Sequence, residues 1–178
     1  MTSRASASMA ERMHPLAAIV AAASDVADVQ LTLAPPAQRL IVHGDASGMG
    51  LAIPDASRAT VSGERALLWI GPDEFLLLAP EGLELPRLPE TVDVSHRDVG
   101  IGITGPRAPW VINAFCALDL HHSAFPIGMC TRTVLGKAEI MLWRTAADTF
   151  RIEVARSFAR YVWACLDEAL REFSRATL

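Results

Sequence analysis

Cysteine is scarce: three residues, Cys116, Cys130 and Cys165, in a chain of 178. The number is odd and no C-x-x-C spacing occurs, so a disulfide framework is excluded as the organising principle, and a reducing cytoplasm is the expected compartment. Aromatic residues amount to 6% and tyrosine occurs once. No long basic run and no interleaving of aromatic with basic side chains is found, and the formal net charge is −4. These absences argue against a nucleic-acid-binding protein. Nothing approaches the ~20 consecutive apolar residues that span a bilayer. The nearest stretch, L-A-A-I-V-A-A-A from Leu16 to Ala23, has only Leu16, Ile19 and Val20 as strongly apolar side chains. Its flanking Arg4 and Arg12 give it the outline of a signal-peptide core, but the thin apolar content favours an amphipathic arm or a disordered leader.

What is present is a well-supplied interior. Hydrophobic residues make up 51% of the chain before glycine is counted, above the usual ~45–50% that already includes glycine. One domain of this length buries roughly 70% of its unfolded surface. The apolar excess favours a partner.

Three regions follow from the patterning. Residues 1–28 form a leader, Ser/Ala/Arg-rich to about Met13 and expected to be partly disordered. Residues 29–90 form a β-rich half. Val29, Leu31 and Leu33 alternate with polar neighbours up to Pro35-Pro36, and Arg39–His43 reads as a second strand. The glycine-rich turn from Gly44 to Gly50 follows. The runs A-L-L-W-I and F-L-L-L-A flank Gly71-Pro72-Asp73-Glu74 and predict a hairpin buried on both faces. Leu83–Glu90, with Pro86 and Pro89, is a connector.

Residues 91–178 read as strand, helix, three strands, helix. Val99, Ile101 and Ile103 alternate with Gly100 and Gly102, a strand with one bare face against which something packs closely. Gly105-Pro106 opens a helix whose buried stripe is Ala108, Val111, Ile112 and Phe115. Strands are expected at Thr131–Leu135, at Lys137–Arg144 and around Phe150–Val154. Ser157 can cap a final helix, with Phe158, Val162, Cys165, Leu166, Ala169 and Phe173 on its buried side. The fold class is α+β, with mainly antiparallel sheets and a few packed helices.

Between the first helix and the strand at Thr131 runs L-D-L-H-H-S-A-F-P-I-G-M-C-T-R-T, from Leu118 to Thr133. Connections of that length in a compact domain are usually functional or disordered. Pro126 and Gly128 fix its backbone, and His121, His122, Phe125 and Met129 give it more anchors than a linker needs. His121, His122, Phe125, Pro126 and Met129 are therefore candidates for a partner interface.

No complete active site can be assembled. Cys116, His121, His122 and Cys130 include zinc-binding residue types, but structural zinc sites want ligands paired at short spacing on tight knuckles; buried cysteines beside a polar loop are the simpler reading. Cys130 and Ser95-His96 lack a base-and-orienter set. Gly44, Gly48 and Gly50 do not fit G-x-G-x-x-G. Asp93-Val94-Ser95-His96-Arg97-Asp98 reads as a hydrogen-bonded corner joining the two halves. Catalytic, cofactor-binding and metal residues are each expected to be none.

Four segments, in order, carry a resemblance. They are W-I-G-P-D-E-F-L-L-L-A-P (Trp69–Pro80), D-V-S-H-R (Asp93–Arg97) with I-T-G-P-R-A (Ile103–Ala108), the Leu118–Thr133 segment, and W-R-T…F-R-I-E-V-A-R-S-F-A (Trp143–Ala159). Together they resemble the gamma subunit of heterotetrameric sarcosine oxidase, over about Leu31 to Phe173, with a faint echo at His14-Pro15-Leu16. That family is similar in fold to the glycine-cleavage T-protein, which implies two small βα subdomains side by side. The resemblance implies a non-catalytic structural subunit of a complex that oxidatively demethylates sarcosine to glycine, giving hydrogen peroxide and formaldehyde or 5,10-methylenetetrahydrofolate. It further implies alpha, beta and delta partners, alpha most directly. FAD, FMN, NAD and tetrahydrofolate then belong to alpha and beta, zinc to delta, and no cofactor to this chain. Two alternatives are weaker. A free-standing folate-dependent aminomethyltransferase would be about twice as long. The iron–sulfur-maintenance branch of the same superfamily carries K-G-C-[YF]-x-G-Q-[ED], of which Gly128-Met129-Cys130-Thr131 retains little.

Overall fold

The structure is a computed structural model in which residues 15–16, 28–86 and 88–175 are described; most of the leader, including Ile19 and Val20, lies outside them. Ten strands form two antiparallel sheets of five. The first sheet has the order β1 (Gln30–Leu33), β7 (Asp98–Thr104), β10 (Thr149–Ala155), β9 (Ala138–Ala146), β8 (Cys130–Leu135). The second has β3 (Ala59–Ser62), β4 (Arg65–Gly71), β5 (Glu74–Pro80), β2 (Ala37–His43), β6 (Thr91–Asp93). Each sheet takes most of its strands from one half of the sequence, with an exchange at each end. β1 from residues 29–90 pairs with β7, and β6 from residues 91–178 pairs with β2. The halves are thus sewn together by two strand crossings, and the class is α+β with antiparallel sheets, as the patterning predicts.

The period-2 alternation decides which faces meet. Ile101, Ile103, Ile140, Leu142, Phe150 and Ile152 point away from the second sheet. They pack beneath helices α1 (Ala108–Asn113) and α2 (Arg156–Arg175). The opposite face carries Cys130, Met141 and Trp143, and meets Ile41, Leu68, Ile70, Leu76 and Leu78 of the second sheet. The far face of the second sheet, with Val42, Leu67, Phe75 and Leu77, is covered by Ala46, Met49 and Leu51 from the glycine-rich turn. That turn is therefore a packed lid containing a short 3-10 turn, with Met49 fully buried. The hairpin β4–β5, apolar on both faces in sequence, is the layer sandwiched between these two cores.

Several local expectations shift. Leu16, assigned to the leader, is fully buried in the helix-side core, and the Pro15 carbonyl accepts a hydrogen bond from Arg160 Nε. α1 starts at Ala108 with Pro109 in its first turn, so Pro106 precedes the helix. α2 begins at Arg156, which puts Ser157 inside it rather than ahead of it. Phe158, expected on the buried side of α2, is 43% exposed. Its neighbour Ala159 is already fully buried in the helix-side core, whereas Phe158 borders a groove on the other side with Ile41, Arg97 and Met141. Val162, Leu166 and Ala169 further along are buried as expected.

The bare face of β7 has a definite neighbour. A Cβ on Gly100 would lie 2.6 Å from the Ala34 Cβ, 2.9 Å from Glu153 Oε1 and 3.3 Å from Arg39 Nη2. Glycine is required there because an ion cluster sits on it. Arg39 Nε of β2 meets Glu153 Oε2 of β10 at 2.6 Å, and Arg151 Nε meets Glu153 Oε1 at 2.6 Å. Arg39 and Glu153 are 5% and 4% exposed. The polar alternation of β10 is not a solvent face: it ties the two sheets together from inside.

Candidate functional site

The segment between α1 and β8 is an ordered surface loop fixed from below. Asp119 Oδ1 accepts the His121 amide at 2.9 Å, and the Ala124 and Phe125 amides return to the His121 carbonyl at 3.0 and 2.8 Å. An Asx turn thus starts one helical turn, which drops Phe125 into the helix-side core, 6.4 Å from the Phe150 ring. Leu120 is buried beside it.

Arg144 holds this arrangement together, and sequence reading missed it. Its Nη1 donates to the carbonyls of Leu120 at 3.3 Å and Phe125 at 2.8 Å, and its Nε donates to Ala147 at 3.0 Å. A second contact to Ala147, from Nη2, is shorter still. The guanidinium lies 5.1 Å over the Phe150 ring. One buried cation so satisfies the otherwise orphaned carbonyls of an irregular segment, as buried backbone must be. The signal available in sequence was an arginine at an inward-facing position of the strand, A-E-I-M-L-W-R-T.

The other end of the loop reaches the second sheet. The Gly128 amide donates to the Arg144 carbonyl at 2.9 Å, and Gly128, at φ 82°, accepts from the Ala59 amide at 2.8 Å. Cys130 N donates to Ser57 O at 3.0 Å. Met129 and Pro126 are half-buried along this line.

Of the five interface candidates, Phe125 is an internal anchor, and Pro126 and Met129 are partly sequestered. His121 and His122 are exposed, their rings 4.0 Å apart, with His121 Nδ1 2.7 Å from Ser123 Oγ. Ile127, which sequence reading passed over, is exposed by 58%. The outward face of the loop is therefore His121, His122 and Ile127 on a rigid base.

The cysteines do not come together with the histidines. Cys116 is buried with its Sγ 3.8 Å from Thr133 Oγ1. Cys130 Sγ lies 3.2 Å from the Arg58 carbonyl and 3.6 Å from that of Trp69, where the two sheets meet. Burial pushes its thiol up to about 12, so it stays protonated and unreactive at neutral pH. Among the described residues no group of three or more His, Cys, Asp or Glu side chains has metal-holding geometry.

The Asp93–Asp98 constellation is a corner. Ser95 Oγ accepts the Arg39 amide at 2.9 Å, and Val94 N donates to Arg39 O at 2.8 Å. Asp93 Oδ1 accepts the Ser95 amide at 2.8 Å, and Ser95 holds the Asp93 carboxyl below its usual range. Arg97 O receives the Arg156 amide at 2.9 Å. The segment links β2, β6, β7 and the start of α2.

A family model described as "Sarcosine oxidase, gamma subunit family" matches residues 30–172. Three curated proteins named sarcosine oxidase subunit gamma are similar in sequence. That of Corynebacterium sp. strain P-1 is 35% identical over 61% of this chain and 58% of its own length. That of Arthrobacter sp. is 31% identical over 75% and 70%, and that of Corynebacterium sp. strain U-96 is 33% identical over 74% and 69%. The chain thus spans between about three-fifths and seven-tenths of these relatives. In structure it is similar to a chain of heterotetrameric sarcosine oxidase from Corynebacterium sp. U-96, with TM-score 0.79, 24% identity and coverage of 92% and 96%. It also resembles the glycine cleavage system aminomethyltransferase T of Bartonella henselae, with TM-score 0.55 and 15% identity, over 79% of this chain and 45% of that one. Both likenesses are of the overall fold over those spans.

Proposed function

The chain belongs to the sarcosine oxidase gamma subunit family, and we propose that its role there is structural. It acts as a non-catalytic scaffold in a heterotetrameric complex that oxidatively demethylates sarcosine to glycine. The complex yields hydrogen peroxide and formaldehyde or 5,10-methylenetetrahydrofolate. The alpha subunit is its direct neighbour, with beta and delta completing the assembly. FAD, FMN, NAD, tetrahydrofolate and zinc are carried by those partners. The compartment is the cytoplasm, in keeping with three unpaired cysteines; among the described residues no helix is long and apolar enough to cross a membrane. The regions 29–90 and 91–178 serve as two halves of one scaffold, locked by the Asp93–Asp98 corner.

The observation that carries this reading is the division of labour within the Leu118–Met129 loop. Its inner side is spent on Phe125 and on carbonyls bonded to Arg144, whereas His121, His122 and Ile127 face outwards. A segment fixed this firmly, with an apolar residue and two imidazoles presented to solvent, suits docking of a partner that needs little reorganisation.

Co-expression tests it. With alpha, beta and delta the chain is expected in a soluble flavin-containing assembly, and alone it is expected to self-associate. The triple substitution His121→Ala, His122→Ala, Ile127→Asp should remove the chain from the assembly while leaving its circular dichroism unchanged. Retention of the triple variant in a complex of normal stoichiometry would reject this loop as the interface.

A further inference from the structure

We propose that the groove at one end of the seam between the sheets is a carboxylate-binding site built on Trp143 and Arg151. Trp143 of β9 and Arg151 of β10 stand directly opposite one another in the strand register. Cross-strand partners project on the same face as near neighbours, and this face is turned towards the second sheet. Both side chains border a groove of 300 Å³ walled by Pro35, Pro36, Leu78 and Pro80.

Each brings a donor with nothing to bond. Trp143 is 8% exposed, and its Nε1 has no hydrogen-bond partner. Arg151 commits its Nε to Glu153, while its Nη2 is buried and unpartnered. Buried donors in native proteins are almost always satisfied, and those that are not call for an explanation. Two orphan donors on cross-strand neighbours bordering one groove suit an acceptor with two oxygens.

Charge selects the kind of acceptor. Arg39 and Arg151 share one carboxylate, that of Glu153. The seam therefore holds one more cation than anion, and on the rim the formal charges of Glu64 and Arg65 cancel. A water molecule could accept both bonds but would leave the buried positive charge uncompensated. A carboxylate satisfies both donors and balances the charge, forming the stronger, charge-assisted type of bond. The apolar walls suit a short aliphatic stem behind it. Arg151 Nη2 is itself buried, but the side chain keeps 19% of its surface exposed, so a small shift of the guanidinium into the groove presents the free Nη2 to an incoming carboxylate. The carboxylate can arrive as a free small acid or as an acidic group of a neighbouring subunit. The recognition chemistry is the same, and it does not depend on the scaffold reading.

The probe pair is butyrate and its neutral isostere butyramide. The full chain is labelled with 5-fluorotryptophan, and the Trp143 resonance is assigned through Trp143→Phe. It is then followed by fluorine NMR, both in the chain alone and in the assembled complex with unlabelled partners. Butyrate should shift that resonance saturably, with butyramide and the Arg151→Gln variant at least about tenfold weaker, as loss of a charge-assisted hydrogen bond implies. Arg151→Lys, which keeps the charge but not the fork, should bind at intermediate strength. An unmoved Trp163 resonance shows that the variants are folded. If the complex also titrates, the carboxylate is a free acid. If the complex does not respond to butyrate and Arg151→Gln expels the chain from it, a partner's acidic group is the occupant. Equal responses to butyrate and butyramide would overturn the proposal. So would no saturable response in either setting combined with normal assembly of Arg151→Gln.

Discussion

Glu153 gives the most demanding test of the physical account. Its carboxylate is 4% exposed and accepts from Arg39 and Arg151, each at 2.6 Å. Replacing Glu153 with alanine removes both bonds and leaves the Arg39 guanidinium, itself 5% exposed, facing a dry seam with no anion. Breaking a buried pair by removing one partner costs roughly 3–5 kcal/mol, mainly because the remaining charge is uncompensated. For a chain of this size each kcal/mol moves Tm by about 2–4 °C, so a fall of about 6–20 °C is expected. The control is Arg132→Ala, which breaks the partly exposed pair with Glu74 at 3.1 Å and should cost only about 0.2–1 kcal/mol. A third variant separates charge from packing. Arg39→Met, Glu153→Leu and Arg151→Met together replace the cluster with apolar groups and should recover most of the lost Tm, since burying ions costs much of what their attraction returns. Calorimetry on the four proteins decides. A Glu153→Ala melt no lower than that of Arg132→Ala would refute the claim that the cluster is a desolvated link between the sheets.

Other consequences are simpler to check. Phe125→Ala empties a fully packed site beside Phe150 and should cost about 3–5 kcal/mol, read as a fall in both Tm and complex yield; no change in either would mean that the loop is not anchored there. Gly100→Ala places a methyl 2.6 Å from the Ala34 Cβ and 2.9 Å from Glu153 Oε1, an overpacking of about 1–3 kcal/mol, which Ala34→Gly should partly relieve. Cys130 has its folded thiol raised from 9.0 to about 12. Its contribution to stability is therefore complete below pH 9 and is lost as pH rises from 9 through 12. The Tm advantage of wild type over Cys130→Ala should shrink across that window. Iodoacetamide at pH 8 should leave Cys130 unmodified until the protein is denatured.

Much of this architecture was legible because it rests on period-2 alternation and on turn residues. The β4–β5 hairpin, apolar on both faces, could only be an internal layer. Gly100 and Gly102 announced a close approach on one side of β7. The Asp93–Asp98 corner was visible as a crowd of short polar side chains able to bond the backbone locally. The partners in long-range pairs were not visible. Arg39, Arg151 and Glu153 look like ordinary polar alternates in their strands, and only the packing of one sheet on the other turns them inwards. Arg39 and Glu153 are 114 residues apart, and no local pattern links positions so distant. Similarly, Phe158 fits the helical stripe by spacing alone, yet it borders the groove with Ile41, Arg97 and Met141, while Ala159 beside it enters the helix-side core. The loop stands out in the sequence by its length and anchors, while the division between its inner Phe125 and its outer Ile127 depends on where Arg144 stands.

The scaffold reading is tested most directly by assaying the purified chain, without partners, beside the assembled complex for sarcosine-dependent hydrogen peroxide formation and for tetrahydrofolate binding. The account predicts both activities in the complex and neither in the chain alone. Turnover by the isolated chain, or stoichiometric retention of tetrahydrofolate on it, would contradict that prediction.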